Sequence, residues 1–190
     1  LACPLCEKYR AANRKEPLCP HEIPDRPWQN VSCDLFELEN EQYMVLTDAF
    51  SHHIEIDYLP NISSKTVIRK LKVHFSRFGC PVQIKTDNGR QFTSAEFEKF
   101  ASEWNFSHVT SSPNMPSSNG HAESAVKIAK RILRKAKDAN TDPYMALLEF
   151  RNTPLPCGYS PAQLLMSRRI RSTLPTTNKL LSPQPIDVKK

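Results

Sequence analysis

The sequence predicts an α/β domain, a mixed five-stranded sheet flanked by helices. Three observations predict it. Three short β-rich runs follow one another between residues 31 and 58. Helix and strand patterns then alternate, which gives crossovers and a mixed sheet. All four glycines, at 79, 89, 120 and 158, fall where one element stops and the next begins.

The elements follow in order. Residues 1–30 hold few apolar residues and prolines at 4, 17, 20, 24 and 27, and read as an extended arm. Val31–Phe36, Tyr43–Ala49 and His53–Tyr58 read as an antiparallel meander. Ser63 or Ser64 caps a helix with the apolar stripe Val67, Leu71, Phe75 and Phe78, stopped by Gly79 and Pro81. Val82–Thr86 is a strand. Thr93 opens a capping box with Glu96, starting a helix that carries Phe97 and Phe100. Phe106–Thr110 is a further strand, and residues 111–120, rich in Ser, Pro and Asn, are a mobile loop. A long helix spans Gly120 to Asp138, and shorter ones cover 143–151 and 161–167. The proline-rich tail from Ser172 reads as a linker.

Composition narrows the function classes. The chain has 190 residues, 39% hydrophobic and 24% charged, enough for one packed domain and too apolar for wholesale disorder. Its longest apolar run, Tyr144 to Leu148, is far short of a membrane span. The chain opens at Leu1 and not at a Met, which reads as a fragment of a longer polypeptide. Residues 1–122 carry 13 Lys/Arg against 15 Asp/Glu, and residues 123–190 carry 13 against 5. Positive charge gathered in one stretch points to a polyanion such as nucleic acid. A disulfide framework is not expected from the six cysteines. Cys33 falls inside a strand pattern as a small buried hydrophobe.

Three carboxylates stand out. Alternation puts Asp34 on one strand face with Ser32 and Phe36, opposite Val31, Cys33 and Leu35. If helices cover both faces, an ionised group there is costly unless something positive offsets it. Asp87 ends the strand before Asn88-Gly89, at the carboxyl end where ligands of α/β sheets gather. Glu123 opens the long helix, whose stripe is Ala122, Ala125, Val126, Ala129, Ile132, Leu133 and Ala136. Glu123, Lys127, Lys130, Arg131 and Arg134 lie mostly off that stripe, and Glu123, Lys127 and Lys130 share one side. Three carboxylates on three elements can converge on one patch, and hard divalent cations prefer such oxygen ligands for phosphoryl transfer. The bland alternatives are an edge-strand Asp, a hairpin turn at Asn-Gly and ordinary helix-terminus charges. His52-His53 fails as a metal pair because adjacent strand residues point to opposite faces.

With these residues in place, the chain resembles the catalytic core of a retroviral-type integrase, and more closely the integrases of gypsy-type LTR retrotransposon polyproteins. The stretches that carry the likeness are Pro24-Asp25-Arg26-Pro27-Trp28 before Val31-Ser32-Cys33-Asp34-Leu35-Phe36, then Thr86-Asp87-Asn88-Gly89. They continue through Ser111-Ser112-Pro113, Ser118-Asn119-Gly120-His121-Ala122-Glu123 and Tyr159-Ser160-Pro161-Ala162-Gln163-Leu164-Leu165-Met166. Asp87 and Glu123 are separated by 35 residues, a spacing such cores share.

The resemblance implies an RNase H-like fold in which Asp34, Asp87 and Glu123 hold Mg²⁺ or Mn²⁺, two ions in the active state. It implies processing of retroelement DNA ends and their transfer into target DNA. Asn119 and Gly120 match a loop beside the active site, and Lys127 and Lys130 match positions used against the DNA end. A homodimer or higher oligomer is implied, as is a nuclear location for integration with cytoplasmic particles before import. The core would span 31–170, with 171–190 a C-terminal linker. Residues 1–30 would include the tail of a truncated zinc-binding module, of which Cys3 and Cys6 are a partial zinc pair. Two thiolates do not close a tetrahedral site, so zinc is not expected; completion by Cys19 and His21 is strained by their one-residue gap. Two other readings are a domesticated, non-catalytic remnant that binds DNA or protein, and an RNase H-type nuclease on the same fold.

Overall fold

The computed structural model describes residues 24–111 and 120–186. Five strands form one sheet: β1 (Asn30–Leu38), β2 (Glu41–Asp48), β3 (Ile54–Leu59), β4 (Gln83–Thr86) and β5 (Ser107–Thr110), in the order β3-β2-β1-β4-β5. The first three pair antiparallel, and β4 and β5 run parallel to β1. The helices are α1 (Ser64–Phe78), α2 (Ala95–Trp104), α3 (Gly120–Asp138), α4 (Pro143–Asn152), α5 (Pro161–Met166) and α6 (Asn178–Leu181). This is the mixed, helix-flanked sheet the sequence predicts.

Alternation along β1 divides the core in two. Val31 and Cys33 join Met44, Leu46, Ile84 and the aromatics of α1 and α2 in one cluster. Phe36 and Leu38 join Val45, Ile54, Ala125 and Ala129 in another, beneath α3. The small residues of α3 let that helix lie close against β1 and β2. Asp34 belongs to this second face, so a half-buried carboxylate sits in a strand covered by a helix.

Local chemistry sets the element ends. Ser63 caps α1 by accepting from the Thr66 N–H, and Gly79 ends it at φ 90°, a left-handed conformation that favours glycine. The cap of α2 is Ser94, which accepts from the Phe97 N–H at 3.2 Å, and not Thr93. Thr93 instead belongs to the preceding turn, where its backbone N–H donates to the Gly89 carbonyl at 3.1 Å and its hydroxyl to the same oxygen at 3.4 Å. Ser160 and Gln163 form a reciprocal capping box on α5.

Trp28 precedes β1 and is buried. Its backbone N–H donates to Asp48 Oδ1 at 2.9 Å and its indole Nε1 to the Gly79 carbonyl at 2.8 Å. It thereby fastens the incoming segment to the β2–β3 turn and to the end of α1. The tail folds back: Arg169 N–H donates to the Leu180 carbonyl at 2.9 Å, and Gln184 N–H to the Ser167 carbonyl at 2.7 Å.

Candidate metal centre and nucleic-acid interface

The parallel pairing of β1 with β4 positions the first two carboxylates. Asn30, Val31 and Ser32 lie opposite Gln83, Ile84 and Lys85. Continuing that register sets Asp34 beside Asp87, on the face opposite Val31 and Ile84, about one strand spacing (~5 Å) away. Each carboxylate is oriented by a nearby backbone donor. Asp34 Oδ1 accepts from the Leu35 N–H at 2.8 Å, and Asp87 Oδ1 from the Gly89 N–H at 3.0 Å. A Cβ at position 89 would stand 3.0 Å from Asp87 Oδ1 and would overlap the Gln91 side chain, so a glycine there leaves the carboxylate its place. The Asn88-Gly89 turn leads into α2 and not into a hairpin.

Glu123 lies exposed in the first turn of α3. Its charge is felt in the same neighbourhood. Burial pushes the Asp34 carboxyl up to about 6; the Leu35 N–H opposes this, the charges of Asp87 and Glu123 add to it, and Lys130 partly offsets it. Asp34 is thus a half-buried acid in the field of two others. Among the described residues, no three His, Cys, Asp or Glu side chains stand close enough to share one ion. The donor chemistry nonetheless fits a hard divalent cation: the set is all carboxylate oxygen, and its mutual repulsion is what such an ion relieves.

The basic side chains of α3 differ in setting. Lys127, Arg131 and Arg134 are exposed, whereas Lys130 is half-buried with its Nζ 5.6 Å from the centre of the Phe36 ring. Gly120 is the first residue of α3. Asn119, Cys3, Cys6, Cys19 and His21 lie outside the described residues. One residue of this face escapes the sequence reading. Lys85 pairs with Ser32, on the row next to Asp34 and Asp87, and burial lowers its pKa. The alternation Gln83-Ile84-Lys85-Thr86-Asp87 already put it on the Asp87 face.

The rejected histidine pair takes other roles. His52 adopts a left-handed turn conformation with φ 56°, and its ring lies 5.7 Å from that of His121. His53 is buried and bonds through Nε2 to Glu55 Oε1 at 3.0 Å.

Residues 24–116 match the family described as Integrase core domain. The chain is 33% identical over 193 residues to a Caenorhabditis elegans protein, Uncharacterized protein K02A2.6, covering 96% of this chain and 15% of that protein. It is 32% identical over 142 residues to the Gag-Pro-Pol polyprotein of Simian retrovirus SRV-1, covering 74% of this chain and 8% of the polyprotein. The chain therefore spans a small part of either relative. Among solved structures, it is similar to the HTLV-2 integrase catalytic core domain in complex with magnesium (trimeric form). The TM-score is 0.60 at 23% identity, covering 74% of this chain and 97% of that one. The architecture is RNase H-like, and by family match and fold the chain carries an integrase core domain.

Proposed function

We infer that this chain is the catalytic core of a retroelement integrase of the gypsy type, a divalent-metal-dependent polynucleotidyl transferase. It processes the element's DNA ends and joins them to target DNA by transesterification at phosphorus. One observation carries the reading: Asp34 is set half-buried beside Asp87 at the carboxyl end of a parallel strand pair, within reach of the Glu123 charge. Structural ion pairing does not explain it, since like charges gather there. The magnesium complex of the similar HTLV-2 core supports the choice of ion.

Asp34, Asp87 and Glu123 would hold Mg²⁺ or Mn²⁺. Bound there, such ions supply Lewis-acid activation of the attacking oxygen and neutralisation of the leaving one. The rest falls to the chain. Asp34 and Asp87, fixed by the Leu35 and Gly89 N–H groups, present their oxygens from a rigid sheet. Lys127, Lys130, Arg131 and Arg134 run along α3 from Glu123 and face the phosphodiester backbone, fixing its position without reading bases. By the resemblance, Asn119 and Gly120 would take part in holding the DNA. Pairing of two copies supplies the two active sites that cuts on two strands require, and the work is done in the nucleus, after passage in cytoplasmic particles.

A non-catalytic, domesticated remnant is the second reading, favoured by the spacing of the carboxylates, which falls short of a shared ion among the described residues. A Mn²⁺ soak decides. Anomalous density between Asp34 and Asp87, with Glu123 drawn in, is expected; a carboxylate cluster that stays bare at millimolar Mn²⁺ removes the enzymatic reading.

A further inference from the structure

The sheet face that carries Asp34 continues into a second feature. Strand register aligns Phe36 with Tyr43, and Tyr43 with Tyr58, in one row across β1, β2 and β3. The Phe36 and Tyr43 rings stack with centres 5.4 Å apart, and Tyr43 meets Tyr58 edge-on at 6.0 Å. Tyr144, in the first turn of α4, completes an aromatic wall. These tyrosines and Glu41 surround an open cavity of about 260 Å³ over Ile56 and Leu147.

The chemistry of the wall selects its guest. Tyr58 is 51% exposed and Tyr144 71%, a large aromatic surface left to solvent. Ring faces are electron-rich and attract cations. Glu41, at the rim, adds a formal negative charge and accepts the Tyr43 phenol proton at 2.5 Å. Among the described residues, no basic side chain lines this cavity. At its inner end the same aromatic row already holds a cation, Lys130 against Phe36. A second cavity of about 380 Å³ shares Glu41, Tyr43, Leu133 and Pro143 with the first, and is lined also by Glu39 and Lys137, which pair with each other. The two make an elongated groove in which, among the described residues, Glu41 is an acid with no basic partner, a shape for a chain segment and not for an isolated ion.

We propose that this groove binds a basic peptide segment of a partner protein, with one lysine side chain seated among Tyr43, Tyr58 and Tyr144 and countered by Glu41. Methylated lysine is preferred to the bare ammonium, because its charge is diffuse and more easily stripped of water. The site is separate from the carboxylate cluster and stands whether or not that cluster binds metal.

The test is fluorescence anisotropy of the full chain with a labelled basic peptide carrying a central trimethyllysine. The same peptide with a neutral neohexyl isostere, in which carbon replaces the charged nitrogen, is the control. The cationic peptide is expected to bind about tenfold tighter than the neutral one. Tyr58→Ala and Tyr144→Ala should each weaken it about fivefold, and Glu41→Gln less. Tyr144 is mostly solvent-exposed, so its replacement leaves the core intact and keeps the test valid if Tyr58→Ala misfolds. Equal affinity for the neutral isostere, unchanged binding by Tyr144→Ala, or no binding at millimolar peptide overturns the proposal. Tetramethylammonium binding as tightly as the peptide overturns it in favour of a small quaternary amine.

Discussion

Glu55 on β3 is more buried than Asp34 on β1, yet Asp34 holds its proton more tightly. Burial alone would raise the Glu55 carboxyl, but the hydrogen bond from His53 and the Arg151 guanidinium at 2.8 Å hold it below its ordinary value. Asp57 beside it meets His74 Nε2 at 2.5 Å and Lys70 at 3.3 Å. Around Asp34 the charged neighbours that push its carboxyl up are Asp87 and Glu123, opposed by the Leu35 N–H and, among the described charges, by Lys130. The β3 carboxylates are matched inside the chain; Asp34 on β1 and Asp87 just after β4 are left with a surplus of negative charge. A matched buried charge serves the fold, while an unmatched one is tolerated only where something from outside completes it.

The largest expected effect tests that surplus directly. Asp87→Asn keeps the size and the Gly89 hydrogen bond but removes a charge, and should lower strand transfer in Mn²⁺ by about a thousandfold or more. Parental activity in that variant would remove Asp87 from the site. The opposite manipulation applies to β3. Arg151 donates through Nε and Nη2 to the Ile54 carbonyl and pairs with Glu55, tying α4 to the sheet edge. Arg151→Met should cost about 3 kcal/mol in urea unfolding, because Glu55 is left buried without its strongest cation. A loss below ~1 kcal/mol would mean that the His53 and His74 contacts suffice.

The two regions also differ in the sign of their pH dependence. Asp34 has a raised folded pKa, so its contribution to stability is fully present below the unfolded carboxyl pKa and is lost as pH rises through about 6. Glu55 has a depressed one, so its contribution is present at neutral pH and is lost only in acid, below the ordinary carboxylate range. Asp34→Asn should therefore stabilise the metal-free protein at pH 7, by about 1–2 kcal/mol after allowing for solvent screening of a half-exposed group. Below pH 4 the gain should vanish. Millimolar Mn²⁺ should raise the melting temperature of the parent and not of the variant. Thermal melts across pH 4–8 check all three statements.

How much of this was legible in the sequence depends on the range of the interaction. Alternation in Val31–Phe36 gave the faces of β1, because side-chain direction in a strand is a local property, and the two core clusters follow it. The stripe of α3 and its caged small residues were equally local. Asp34 and Asp87 as neighbours needed the β1–β4 register, which no single segment encodes. The matched network on β3 was invisible for the same reason: Glu55 and Arg151 are almost a hundred residues apart, and the alternation His53-Glu55-Asp57 does not say that α1 and α4 supply the partners. The tyrosine groove was hidden in three alternating strands whose alignment makes the row.

The smallest effects separate two lysines that the sequence placed together on α3. Lys127 is exposed and Lys130 is half-buried between Phe36 and Asp34. Lys127→Gln should weaken DNA binding several-fold and lower the slope of log K against log salt by about one, the signature of one lost phosphate contact. Lys130→Gln removes a cation that offsets the charge around Asp34. Its carboxyl pKa should rise further, so the onset of Mn²⁺ binding, followed by melting temperature against pH, should move to higher pH. Lys127→Gln should leave that onset where it is. If both variants change only the salt slope, Lys130 acts as a plain phosphate contact, and the surplus charge around Asp34 is tempered by solvent instead of by its own helix.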